Sequence, residues 1–313
     1  MENAIITTAG NAQLVQAAAI TEELTRQFVS FIDAAPQSIA TYSASIRRML
    51  EYFQALHITH PTRTDIIQYR EHLKTDYKPS SVALHMTAAR LFFRWTAQQG
   101  IYPNVADHIK GAKLDKGFKK DYLTSRQVKA VFSTAQADTV ASKRDYAILT
   151  LMVTTGLRCI EVARANIEDL RTAGDDVVLY IQGKGHEEKN DYVKLAPKVE
   201  SAIREYLIAR GEKNERAPLF VSDSNNSRGE RITTRSVSRL VKNHMKAAGY
   251  NSDRLTAHSL RHTAATLNLL NGGTPQETQQ LLRHSNINTT MIYSHALERA
   301  NNQSENRIAA AVF

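Results

Sequence analysis

The chain carries a single cysteine, Cys159, in 313 residues. That leaves no partner for an intramolecular disulfide and no cysteine-based metal cluster, and the default expectation is a reducing, cytoplasmic setting. No apolar run reaches the roughly 18 residues that a membrane span needs, so no membrane partner is expected. The start, "MENAIITTAGNAQ", lacks the basic-then-apolar layout of a secretory signal. Also absent are a P-loop, the glycine fingerprint of dinucleotide folds, internal repeats and low-complexity tracts. No carboxylate cluster suggests a magnesium site, so neither a metal nor a cofactor is expected.

What is present is positive charge. Forty Lys and Arg against 31 Asp and Glu give a formal +9, which favours a polyanionic partner. The hydrophobic share of 42% and charged share of 23% are ordinary for a soluble globular protein. Part of the charge is concentrated. "KGAKLDKGFKK" places Lys110, Lys113, Lys116, Lys119 and Lys120 around two glycines and one aspartate. The stretch is too polar and glycine-broken for a core helix. It reads as an extended basic linker able to lie along a phosphate backbone, against the plainer alternative of a solvated hinge.

The linker divides the chain. Before it, Ile39, Tyr42, Ile46, Met49, Leu50, Phe53 and Leu56 recur at helical spacing. A helix is expected from Thr64 through "DIIQYREHLK", and another from Pro79 to Gly100, with proline and glycine at the ends that favour them. With "TEELTRQFVSFIDA" ahead, these make four N-terminal helices. After the linker, Thr124 and Gln127 form a capping box, and "KRDYAILTLMVTTG" reads as a buried helix ending at Gly156. "DDVVLYIQ", a turn "GKGHEEKN" and "DYVKLA" predict a hairpin, with a short extra strand making three. Helices resume at Pro197, Thr234, "AHSLRHTAATLNLLNGG" and Thr274-Pro275. The fold class is therefore mainly α with a small β-sheet. The expected divisions are a tail over 1–20, a helical domain over 21–104, a linker over 105–122, an α+β domain over 123–300 and a tail over 301–313.

The chemistry-bearing residues are scattered. "TTGLRCIEVA" holds Arg158, with Glu161 three residues on; "HSLRHT" holds His258 and Arg261 on one helical face. Lys184 sits between two glycines of the hairpin turn, and "LLRHSNINTTMIYSHA" holds His284 and Tyr293. Singly, each has an ordinary structural reading: a surface ion pair, a cap, a solvated tip, a half-buried ring. Their joint order does not. Arg158, Lys184, His258, Arg261, His284 and Tyr293 resemble, residue by residue, the catalytic set of the tyrosine recombinases, the phage-integrase family. The matching stretches are "TTGLRCIEVARANIEDL", "GKGHEEKN", "TAHSLRHTAATLNLLNGG" and "LLRHSNINTTMIYSH". Arg283 departs from the resemblance, since most relatives place glycine before that histidine.

The resemblance implies a DNA recombinase that cuts and rejoins strands through a covalent 3′-phosphotyrosine and a Holliday junction. Tyr293 would be the nucleophile, Arg158 and Arg261 the phosphate clamp, and His284 a further donor. His258 would assist the tyrosine's proton, Lys184 would protonate the leaving 5′-oxygen, and Glu161 would orient Arg158 or His258. It implies an N-terminal core-binding domain and a C-shaped grip on double-stranded DNA with inverted half-sites, to which Arg235 and Arg283 are added as contacts. A homotetramer on synapsed DNA is implied, joined through the C-terminal tail, with accessory DNA-bending or directionality proteins as further partners. The role expected is the integrase or transposase of a mobile element; a Xer-type dimer resolvase is the alternative, and a non-catalytic DNA-binding accessory protein the remote one.

Overall fold

The computed structural model describes residues 4–6, 15–17, 19–113, 121–183 and 188–313. The chain divides into two compact units, Met1–Lys116 and Gly117–Phe313.

In the first unit, strands β1 (Ala4–Ile6) and β2 (Val15–Ala17) pair antiparallel in a stretch that carries no strand pattern of its own. Four helices follow: α1 (Glu22–Phe31), α2 (Pro36–Ala55), α3 (Arg63–Asp76) and α4 (Pro79–Gln98). Each starts on local chemistry. The Thr21 hydroxyl accepts from the Leu24 N–H at 3.2 Å, Thr62 N–H donates to the Asp65 carboxylate at 2.7 Å, and α2 and α4 open on proline. Their inward faces meet in an aromatic core in which Phe28 and Phe92 pack edge-on at 5.4 Å. The expected stripe on α2 is buried from Ile46 to Phe53, but Leu56 is exposed. The helix ends at Ala55, and His57 then takes a left-handed φ of 55°, which turns the chain off the stripe. Tyr102, Val105, Ala106 and Ile109 are buried in the same core, and Arg90 donates to the Ile109 carbonyl at 2.8 Å. The expected linker from 105 thus begins as a packed segment of this unit.

The second unit is built on a buried central helix. α5 (Ser125–Ser133) opens on the reciprocal Thr124–Gln127 cap, and α6 (Val140–Thr155) ends at Gly156. α7 (Cys159–Arg164) follows and leads into an antiparallel sheet of β3 (Leu170–Ala173), β4 (Asp176–Ile181) and β5 (Asp191–Lys194), in that order. Leu179 stands opposite Leu170 on one side and Val193 on the other, so one face is apolar and faces the helices. The remaining helices are α8 (Pro197–Arg210), α9 (Thr234–Ala247), α10 (Ala257–Leu270), α11 (Pro275–Leu282), α12 (Asn288–Asn301) and α13 (Ser304–Val312). α6 packs against α8 and α10, which draws the ends of α6, α10 and α11 together.

Candidate active site

The site begins with a glycine. Gly156 closes α6 at φ 64°, a backbone conformation in which a Cβ is strained. A Cβ there would also lie 2.6 Å from Leu282 Cδ2. The bare backbone lets Arg261, one turn into α10, donate through Nη1 to the Gly156 carbonyl at 2.6 Å. Its Nη2 donates to the Leu282 carbonyl at the end of α11. Arg261 is 1% exposed, and these partners are neutral carbonyls. Burial, then the neighbouring Arg158 and Arg283, push its guanidinium down to about 10. Glu161 is the carboxylate whose charge acts favourably on this buried guanidinium.

Arg158 is the N-cap of α7. Its backbone N–H donates to Glu161 Oε2 at 2.8 Å and its Nη1 to Oε1 at 2.9 Å. One carboxylate, 1% exposed, thus caps the helix and aims the guanidinium, whose side chain keeps 32% of its surface open. Arg283 donates to the same carboxylate at 3.1 Å. His284 follows it, with Nδ1 2.9 Å from the Thr290 hydroxyl. Burial, then Arg261, Arg158, Arg283 and His258, push His284 down to about 4, so it is neutral at pH 7.

Tyr293, on α12, is 5% exposed beside Ala265 and Leu282. Its hydroxyl lies 2.7 Å from His262 Nδ1. Burial raises its pKa, while Arg261 and Arg158 pull the other way, which places the phenol in the field of both arginines. The ring of His258 stands edge-on to that of His262, with centroids 4.7 Å apart.

Arg158, Glu161, Arg261, His284 and Tyr293 are therefore gathered around the ends of α6, α10 and α11. His258 is exposed on the first turn of α10, next to His262. Lys184 lies outside the described residues; after that gap Lys189, on the β5 side, is tied to the buried Asp169 at 2.5 Å. Lys110 and Lys113 are exposed on the first unit, and Lys116, Lys119 and Lys120 lie outside the described residues. Arg235 is exposed on the first turn of α9, whereas Arg283, expected to face DNA, has a side chain only 12% exposed. The residue that sequence reasoning passed over is His262. The tyrosine's proton was expected to go toward His258, but the hydroxyl's bond runs to the histidine one turn later. The doubled histidine of "HSLRHT" was the signal; four residues apart, both lie on one face of α10.

The model of the phage integrase family matches residues 121–299, and that of the phage integrase N-terminal SAM-like domain matches 23–101. The chain is 32% identical over 267 residues to tyrosine recombinase XerC of Pelobacter propionicus, covering 83% of this chain and 85% of that one. Among solved structures it is similar to XerH recombinase bound to a palindromic difH substrate in a post-cleavage complex. The TM-score there is 0.71 at 22% identity, covering 85% and 80% of the two chains. It is also similar to the Tn1549 transposon integrase in complex with circular intermediate DNA, with a TM-score of 0.66 at 20% identity over 87% and 94%.

Proposed function

This chain belongs to the phage integrase family and is a site-specific tyrosine recombinase, and on that premise we propose that Tyr293 attacks a DNA phosphodiester held by Arg158, Arg261 and His284. The observation that carries the assignment is the Tyr293 hydroxyl itself. It sits 2.7 Å from His262 Nδ1 and in the field of two arginines, one of which hydrogen-bonds, among the described residues, to carbonyls. The phenol O–H bond breaks as its proton passes to His262 Nδ1, and the phenolate oxygen bonds to phosphorus. The P–O5′ bond then breaks, giving a 3′-phosphotyrosine and a 5′-hydroxyl. His262 passes the proton on toward the exposed His258. Lys184 protonates the departing oxygen, a role it takes from the family resemblance alone. Charge builds on the non-bridging oxygens, where the guanidinium charges of Arg158 and Arg261 stabilise it. In the tautomer in which the Thr290 hydroxyl donates to Nδ1 of the neutral His284, 2.9 Å away, the proton stands on Nε2 and gives the phosphate one more donor. The phosphodiester's energy is kept in the ester to tyrosine, and attack by the 5′-hydroxyl of a partner strand completes the exchange.

The relatives favour a Xer-type role, the resolution of joined chromosome or plasmid dimers, since the Pelobacter protein is similar over most of both chains. The mobile-element role expected from the sequence is supported by a shared fold alone. Sequencing the DNA trapped covalently on the protein in its host separates the two. A single chromosomal site with inverted half-sites supports the resolvase; the ends of a mobile element contradict it.

The working form is proposed to be a tetramer on paired double-stranded sites, with both units and the exposed Lys110 and Lys113 on the DNA backbone. α13 supports this: among the described residues it buries none, and Ile308 is 64% and Val312 69% exposed. An apolar helix end left open is suited to a neighbouring protomer. Deleting 304–313 should leave a folded protein that binds one half-site and forms no synapse; normal strand exchange would refute the assignment.

A further inference from the structure

Arg283 stands at the C-cap of α11 with φ 53° and ψ 48°. That is the left-handed conformation that favours glycine, so an arginine there carries backbone strain. Strain held at a functional site invites the question of what offsets it. The side chain does not reach outward. It is 12% exposed, Nη1 donates to the Leu281 carbonyl at 2.8 Å, and Nη2 lies 3.1 Å from Glu161 Oε2. The other oxygen of that buried carboxylate belongs to Arg158. Glu161 is thus shared between two guanidiniums that reach it from different helices.

Without Arg283, Glu161 would offset Arg158 alone, and the pocket of Arg158 and Arg261 would hold two positive charges against one negative. With it, three face one. We infer that Arg283 is a positioning residue of this active site, an internal counter-cation that occupies part of Glu161 and so leaves Arg158 with charge to spend on the scissile phosphate. It works from behind Arg158 and touches no DNA. Its charge also acts, after that of Arg158, on Arg261 and on His284, the next residue in the chain. This inference rests on the phosphoryl-transfer reading of the site.

The test uses the full chain and nicked suicide DNA in two forms. One carries an ordinary scissile phosphate; the other carries a methylphosphonate, in which a methyl replaces one charged oxygen. Arg283→Gly suits the backbone at φ 53°, so its Tm should hold or rise. Single-turnover cleavage of the phosphate should slow about tenfold, from the loss of one screened charge at pocket distance. On the methylphosphonate, whose transition state carries one negative charge fewer, variant and parent should cleave at similar rates. Arg283→Lys, which keeps the charge, should lie near the parent on both. Parental rates for Arg283→Gly on the phosphate would reduce Arg283 to a helix cap and overturn the inference. An equal loss on both substrates would also overturn it, by showing a geometric rather than an electrostatic role. If the glycine variant loses Tm, Arg283→Gln carries the same comparison. Failure of the parent to form any adduct at Tyr293 would refute the functional reading instead.

Discussion

Gly156→Ala should damage this protein twice through one atom. The added Cβ meets a left-handed φ of 64°, which costs an L-residue about 1–2 kcal/mol. It also lies 2.6 Å from Leu282 Cδ2, with Ala264 Cβ 3.6 Å away on another side. Leu282 is fully buried against Ala265 and Tyr293, so it cannot swing into solvent; overpacking of this kind costs about 1–3 kcal/mol. A total near 3 kcal/mol should lower Tm by roughly 6–12 °C for a unit of this size. The functional loss should be larger than the stability loss implies. The Gly156 and Leu282 carbonyls are the two anchors of the Arg261 guanidinium, and Leu282 is a neighbour of Tyr293. Misplacing such groups by about 1 Å can cost ~10²-fold in rate. Differential scanning calorimetry and single-turnover cleavage below the variant's Tm read the two effects separately. A cycle with Leu282→Ala isolates the clash: in that background Gly156→Ala should cost only the backbone share, about 1–2 kcal/mol. A Gly156→Ala protein with Tm within about 2 °C of the parent and undiminished cleavage would refute the reasoning, since the strain and the clash predict at least twice that fall.

His262→Ala should slow adduct formation by about 10²-fold, as loss of a general base does, with DNA binding unchanged. A fluorinated, more acidic tyrosine at 293 should recover part of that loss; an unchanged rate in His262→Ala would return the proton to another group. His284 gives a pH prediction. Its folded pKa is near 4, below the ordinary value of about 6.5, so between these values the unfolded chain binds the extra proton. Its share of stability is therefore level above about pH 7 and falls as pH drops from 6.5 toward 4, by of order 1 kcal/mol once partial exposure is discounted. Urea unfolding of parent and His284→Gln at pH 7 and pH 5 checks this: the variant should lose less on acidification, and equal losses would contradict it.

The helices were legible where a local device set them. Proline opens α2, α4 and α8, Thr124 with Gln127 and Thr274 with Glu277 cap α5 and α11, and Gly156 closes α6. Tyr102, Val105, Ala106 and Ile109 were not legible as core, because they line an irregular segment whose burial follows from the helices beneath it. In the site, the short-range pair Arg158–Glu161 could be expected from spacing. The rest depends on contacts between distant residues: Arg261 to Gly156 across 105 positions, Arg283 to Glu161 across 122, and Tyr293 to His262 across 31. No periodicity encodes these. That is why the order of the motif could name the residues while leaving open which histidine meets the tyrosine and which way Arg283 points.

The central claim is that Tyr293 carries the broken strand. Incubating the full chain with a nicked suicide substrate, digesting the trapped adduct and mapping the nucleotide-bearing peptide by mass spectrometry tests it directly. The account predicts a 3′-phosphate linked to Tyr293 alone, a free 5′-hydroxyl on the other product, and no adduct from Tyr293→Phe, which should still bind the DNA. A covalent adduct that persists in Tyr293→Phe, or maps to another residue, would contradict it.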